Sequence, residues 1–471
     1  MTKIGRNEPC PCGKRRPNGL ALQYKKCCES DVIIGKKKLI TITRKDFISE
    51  PYTQCPNCKT NSLGVHFLNT SKTSFSKECY ECGHKVDYPL PSIRKKVIYL
   101  DQFVIDNIVK TLDKKHYRHS HAITEPFWLE LYKKLDTLSK AQLIVCPDSF
   151  YHQEESASTD YFESMKRIYE HLSGGVTFYP VEKIIEKQIT HVFRSFIKGQ
   201  EPSEPDKDPQ SIAFEDMHVW HTPMRISVGG KPRHELHKMA LEEKENKYGL
   251  FLNVFERWKT EKQRNFDDWY TEELNGFGKG TILALRKFHE KRLAIPEKVA
   301  NGEEINLFDM FPTPSVELWE VMCHVAKEEG LTDDMGIAEQ IGKFFISKDF
   351  GKIHAVRIGA LIYAMFAKRA SNGQNPPSKG VHIDTDAISG FLPYCDAIFV
   401  DRENGNLLNE KDVQARIGVG AKIFSMKNKE EFLNYLDEIL EGMSPEHLSF
   451  VESYYGEKWR SPYTTILEHS I

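Results

Sequence analysis

No run in this 471-residue chain approaches the roughly 20 apolar residues that a bilayer-spanning helix needs, and no apolar segment marks its amino terminus. A membrane helix is thereby excluded, and the expectation is a cytoplasmic protein with no membrane partner. Net charge is nearly absent as well, at −2. That balance conceals an asymmetry: residues 1–100 hold 19 Lys and Arg against 8 Asp and Glu, whereas the remainder holds 46 against 59. A basic front and an acidic body suit a protein that grips polyanions at one end and metal ions at the other, although a solvated surface with a basic arm gives the same count. What is present is ample apolar material, 40% of residues, on a length that predicts about two to four domains.

The 11 cysteines are grouped. Cys10, Cys12, Cys27 and Cys28 form one set, Cys55, Cys58, Cys79 and Cys82 a second, and Cys146, Cys323 and Cys395 stand alone. In a reducing compartment such paired thiols read as zinc ligands rather than disulfides. Cys55-Pro56-Asn57-Cys58 and Cys79-Tyr80-Glu81-Cys82 are two knuckles about twenty residues apart, which lets four thiolates close a tetrahedral Zn²⁺ site. This is a zinc-ribbon pattern, with a hairpin strand expected at Val65 to Leu68 and with His66 and His84 as bystanders.

The first set departs from the knuckle spacing. Ile4-Gly5-Arg6-Asn7-Glu8-Pro9-Cys10-Pro11-Cys12-Gly13, followed by Tyr24-Lys25-Lys26-Cys27-Cys28, resembles the SEC-C motif, the small zinc-binding module at the carboxyl end of the translocase motor SecA. Residues Arg15 to Gln23 lengthen the turn that is short in that family. The resemblance implies a zinc-held docking module for a protein or ribosomal partner. Four thiolates leave no open position for water, so both expected zinc sites are structural.

Lys96-Val97-Ile98-Tyr99-Leu100 reads as a buried parallel strand, and Asp101 stands at its carboxyl end, where open α/β sheets bind ligands. Ala397 to Val400 repeats the arrangement, with Asp396 before it and Asp401 after it. Leu143 to Cys146 runs into Pro147-Asp148 and a helix carrying His152, Glu154 and Glu155. A third strand at 176–179 and helices over 106–112, 127–138, 151–172 and 181–197 complete an alternating pattern that predicts a parallel sheet. Residues 199–210 have loop composition, and up to about residue 370 the pattern is helical, most clearly at 250–258, 280–292, 315–329 and 353–369. Within it, Glu215 to His221 crowds acids and imidazoles without a metal-motif spacing, so polar contacts are expected there; His354 and Arg357 face either phosphate or solvent. Beyond Gly380, Asp384 is placed to cap a short helix with Asp386 in its first turn.

Taken together, the body resembles the PIN-like ribonuclease superfamily. The family pattern is an Asp after the first strand, a Glu in an early helix, an Asp opening the helix before the fourth strand, and an Asp just after that strand. The matching residues are Asp101, Glu155 or Glu154, Asp384 or Asp386, and Asp401, with Asp396 matching an acid often seen ahead of that strand. Residues 421–425 and 429–440 would be the closing strand and helix, and the large helical insertion departs from compact members.

The resemblance implies an α/β fold, a PIN-like parallel sheet flanked by helices with a large helical insertion, preceded by two small zinc modules. The expected boundaries are a SEC-C-like motif at 1–30, a zinc ribbon at 31–95, the first PIN-like part at 96–198, the insertion at 199–370, the second PIN-like part at 371–445 and a tail at 446–471. Carboxylates suit Mg²⁺ or Mn²⁺, so the implied activity is metal-dependent phosphodiester hydrolysis. Asp101, Glu155, Asp384 and Asp401 would hold the ion. RNA is the expected substrate rather than DNA because the family leans that way. Tyr24, Phe67 and Tyr80 among the front-end lysines would meet the backbone or a ribosome. Analogy extends the reading to a toxin or antiviral defence effector. The other class of reading is a non-catalytic adaptor, in which the zinc modules recruit a protein or ribosomal partner to a PIN-like scaffold.

Overall fold

The computed structural model describes residues 43–66, 73–112, 125–156, 159, 161–201, 203–220, 234–262, 264–302, 311–456 and 459–460. The SEC-C-like module with Cys10, Cys12, Cys27 and Cys28 lies outside them, as do Tyr24 and Phe67. The chain divides into two compact units: the smaller one closes at Asp87, while the larger takes 69–75 and runs on from Tyr88.

In the smaller unit, strands β1 (Ile48–Gln54), β2 (Asn61–His66), β3 (Ser74–Cys79) and β4 (Lys85–Pro89) form a sheet in the order of the chain. The β1-β2 and β2-β3 pairs are antiparallel. Its apolar core is small, built around Cys55, Leu63 and Cys79. Ile48, Val65 and Phe75 of the same strands are also buried.

The larger unit starts with β5 (Lys96–Leu100), α1 (Gln102–Leu112), α2 (Pro126–Lys140), β6 (Ile144–Val145), α3 (Phe150–Ser156), α4 (Phe162–Ser173) and α5 (Val181–Ile197). The helical stretch follows as α6 (His234–Thr260), α7 (Phe266–Ala300), α8 (Pro314–Glu328), α9 (Asp334–Phe345) and α10 (His354–Ser371). The chain then returns through α11 (Lys379–Phe391), β7 (Ala397–Phe399), α12 (Arg402–Leu408), α13 (Lys411–Ile417), β8 (Lys422–Phe424), α14 (Lys429–Glu441) and α15 (Pro445–Tyr455).

The four strands pair in the order β6-β5-β7-β8, all parallel. Alternation along β5 divides the core. Val97 and Tyr99 join Ile398 on one face, whereas Ile98 and Leu100 join Ala397 and Phe399 on the other, as the period of two requires. Helices α1, α2, α4 and α14 cover the second face, with Leu131, Tyr132, Leu135 and Phe432 fully buried. The first face is covered by α10 and α11 together with Phe251, Phe255, Trp258 and Trp269 of α6 and α7. The expected insertion therefore supplies much of the core on this face. Each large apolar side chain so buried contributes roughly 1.5–3 kcal/mol.

Two local expectations change. The segment read as one helix over 151–172 is two, α3 and α4. The third strand shrinks to bridges, Thr177 with Asp148 in parallel and Phe178 with Ala213 in antiparallel, because it divides its hydrogen bonds between two segments: the Phe178 amide donates to Asp148 O at 2.9 Å and the Tyr179 amide to Ile212 O at 2.8 Å. Among the described residues, no helix is long and apolar enough to cross a membrane.

Candidate metal centre

The second cysteine set comes together as its spacing predicts. Both knuckles fold the same way: the Cys55 amide donates to Thr60 O and the Cys79 amide to His84 O, each at 2.8 Å. In each, the residue after the second cysteine is left-handed, Lys59 at φ 62° and Gly83 at φ 74°. The four Sγ atoms lie within 4.8 Å of one another, with Cys55 to Cys82 at 3.7 Å and Cys58 to Cys79 at 3.5 Å. A tetrahedron with Zn–S of about 2.3 Å has edges of about 3.8 Å, so the set is compatible with a zinc site. Burial opposes ionisation of Cys79, but the Ser62 hydroxyl 2.9 Å away and the Cys82 amide bring it down to about 6. His66 and His84 take no part in this cluster. The Tyr80 ring is covered by Lys45 Nζ, 5.0 Å from its centroid, and meets Tyr52 edge-on.

A second group of potential ligands is Asp101, Asp384 and Asp401, whose carboxylates also lie within 4.8 Å of one another. Parallel register delivers two of them. Leu100 pairs with Phe399, so Asp101, one residue past β5, and Asp401, two past β7, leave the sheet at the same edge, and the Asp401 amide donates to Asp101 Oδ2 at 3.4 Å. Asp401 also caps α12: its Oδ1 accepts from the Glu403 and Asn404 amides at 2.6 and 2.9 Å. This holds its other oxygen toward the cluster.

Asp384 arrives from α11, but not as a cap. The helix starts earlier, at Lys379, because Ser378 caps it by accepting from the Val381 amide at 3.4 Å. Asp384 thus sits in mid-helix, beside the buried face formed by Val381, Thr385 and Ile388. A fully buried amide ties the pair together: Asn404 Nδ2 donates to Asp401 Oδ2 at 2.8 Å and to Asp384 Oδ2 at 3.4 Å, while its Oδ1 has no partner among the described residues. Asn404 was not anticipated, although its position three residues after a capping Asp is a readable signal.

Three carboxylates so close cannot all be charged without help. Burial first, and then the charges of Asp401 and Glu155, push Asp101 from its ordinary 3.8 up to about 7, with His152 opposing. Burial, then Asp101, Glu155 and Asp401, push Asp384 well upward, opposed by Lys244. Hard oxygen donors converging in this way fit a divalent cation of the Mg²⁺ or Mn²⁺ kind.

The other expected acids stand elsewhere. Glu155 acts on the cluster by its charge but is outside the tight triad, held 3.7 Å from Lys244 Nζ. Glu154 lies 3.9 Å from the same lysine. Asp386, two residues from Asp384 and so on another side of the helix, opens into a neighbouring cavity. Asp396 is at the opposite end of β7, where it accepts from Lys96 Nζ at 2.7 Å and the Val97 amide at 2.8 Å. The strand itself separates it from the site, so it fastens β7 to β5. Asp148 accepts from the Ser149 amide and from Gln153.

His152 is 2% exposed and sandwiched between Tyr99 and Tyr169, at 5.1 and 4.7 Å. Glu215, Asp216 and His218 make backbone contacts, to the amides of Thr177, His218 and Lys95 respectively. His354 is buried with Nε2 3.1 Å from Pro205 O, and Arg357 packs against it at 3.0 Å; neither is a solvated edge. No protein-family model, curated protein or solved structure matches the chain.

Proposed function

We propose that this protein is a metal-dependent nuclease of the PIN-like class, acting on RNA rather than DNA. The observation that carries the reading is the convergence of Asp101, Asp384 and Asp401, drawn from two strand ends and one helix across 300 residues of chain. Their order, after β5, in the helix before β7 and just after β7, follows the family pattern if the bridges at Thr177 and Phe178 count as its third strand, with Glu155 at the margin. A divalent cation held by the three aspartates supplies Lewis-acid polarisation of a phosphodiester.

The chain's own contribution is positioning and charge. Asn404 fixes the facing oxygens of Asp384 and Asp401. Asp101 must lose its proton before it can serve, and because burial and the neighbouring carboxylates raise its affinity for that proton, the cation competes with it. Lys244, beside Glu155 and itself half-buried, offers an ammonium to the phosphate backbone. The cysteine-held ribbon gives a structural zinc module that would present substrate or a partner. The deciding experiment is cleavage of labelled single-stranded RNA and DNA by the zinc-loaded full chain, with Mn²⁺, Mg²⁺ or neither. The expected result is divalent-dependent cutting of RNA that is lost in Asp401→Asn. Cutting that persists in this variant would remove the triad from the chemistry, and no cutting with any cation would favour the non-catalytic adaptor.

A further inference from the structure

Beside the aspartate triad lies a cavity of about 290 Å³ that the proposed chemistry does not use. It is formed by α3, the start of α5, α6 and α11, and it shares a wall with the triad. Lys244 lines it while standing 3.7 Å from Glu155, and Ile383, the residue before Asp384, is also in its lining. Its volume is near the lower end of the range that holds small ligands, about 300 Å³. One flat heterocycle fits and a duplex does not.

The lining is built for such a ring. Phe150 presents a face 41% exposed at the cavity, with Phe214, 55% exposed, packed edge-on 6.1 Å away. Exposed aromatic faces next to cations are how unpaired bases are held. His382 forms a fixed wall, stacked on Phe251 at 4.4 Å with Nδ1 3.3 Å from the Tyr363 hydroxyl. Asp386 keeps exposed surface within the cavity, and its carboxylate takes no hydrogen bond from any described residue.

We propose that this cavity receives the base next to the scissile phosphate and prefers guanine, with Phe150 stacking on the ring and Asp386 reading its edge. The proposal rests on the nuclease reading for its substrate and deepens it. An ionised carboxylate only accepts hydrogen bonds. Guanine alone among the four bases sets two donors, N1–H and the 2-amino group, side by side to meet both oxygens. Adenine and cytosine set an acceptor nitrogen beside their single amino group, and uracil flanks its N3–H with two carbonyls. Glu154 and Glu182 also line the cavity, and Lys244, ion-paired with Glu154 and Glu155, and Lys247 supply the cationic donors for O6 and the attached phosphate.

The test is calorimetric binding of GMP, AMP, CMP and UMP to the zinc-loaded full chain without Mg²⁺ or Mn²⁺. GMP should bind roughly ten- to a hundred-fold more tightly than the others, the discrimination a bidentate base contact provides. Asp386→Asn should erase that preference, and Phe150→Ala should weaken all four alike. Equal binding of the four nucleotides, no binding, or a guanine preference that survives in Asp386→Asn would overturn the proposal. Mn²⁺-dependent hydrolysis of bis(p-nitrophenyl) phosphate, which carries no base, reports on the nuclease reading separately. A guanine preference without hydrolysis refutes the nuclease and keeps the pocket; hydrolysis without preference does the reverse.

Discussion

Replacing Asp101 by Asn asks whether the three aspartates are held together against their own repulsion. Asparagine copies the neutral, protonated carboxyl in shape and can still accept the Asp401 amide. Folding raises Asp101 from 3.8 to about 7, so the folded chain binds the proton more tightly than the unfolded chain does. The sign follows: stability linked to this group is complete below pH ~4 and is lost as pH rises through about 7. Three units at 1.36 kcal/mol each set an upper bound of about 4 kcal/mol. Because the neighbouring carboxyls share the titration, about 2–4 kcal/mol is the expected scale. Asp101→Asn should therefore match the wild type near pH 4.5 and exceed it by a few degrees in melting temperature at pH 8. The assay is thermal unfolding of zinc-loaded protein across that pH range, free of Mg²⁺ and Mn²⁺. Adding Mn²⁺ at pH 8 should stabilise only the wild type. A variant less stable than wild type at pH 8, or a difference independent of pH, would refute the reasoning.

Other predictions follow from the same geometry. Asp401→Asn keeps a competent helix cap and removes a charge that faces Asp101, so at pH 8 it should be at least as stable as the wild type, whereas Asp401→Ala also exposes the amides of Glu403 and Asn404 and should be about 1 kcal/mol less stable than Asp401→Asn; chemical denaturation of the pair separates cap from charge. At Gly405, one turn into α12, a Cβ would stand 2.6 Å from Ser425 Cβ, so Gly405→Ala should push α12 and Asp401 outward. A loss of about 1–3 kcal/mol is expected, together with weaker Mn²⁺ binding by titration. Cys79→Ser should remove one equivalent of zinc by metal analysis and weaken the amide-exchange protection of the two knuckles that the four thiols bring together.

Much of this was legible in the chain. The run from Lys96 to Leu100 is the strand β5 as read, α5 spans 181–197 as read, and the CxxC spacing brought four thiols together. Those signals are local: a period, a flanking charge, a fixed separation. What failed was set by competition or by distance. Asp384 and Ser378 both can cap a helix; the chain takes the earlier cap, with the Ser378 hydroxyl accepting from the Val381 amide, and this turns Asp384 from a cap into a mid-helix residue. Asp396 carries the same charge as Asp401 but is at the wrong end of a three-residue strand, fastening β7 to β5. Lys244 reaches Glu155 from a helix some ninety residues away, and no periodicity in either segment announces the pairing.

Mn²⁺ binding followed by electron paramagnetic resonance tests the central claim most directly, because it reports on the triad before any substrate is involved. Zinc-loaded wild type at pH 8 should bind Mn²⁺ at the triad, removing the signal of the free ion, and Asp384→Asn should leave that signal in place. Undiminished free Mn²⁺ with the wild type, or equal binding by the variant, would contradict a cation site built from Asp101, Asp384 and Asp401.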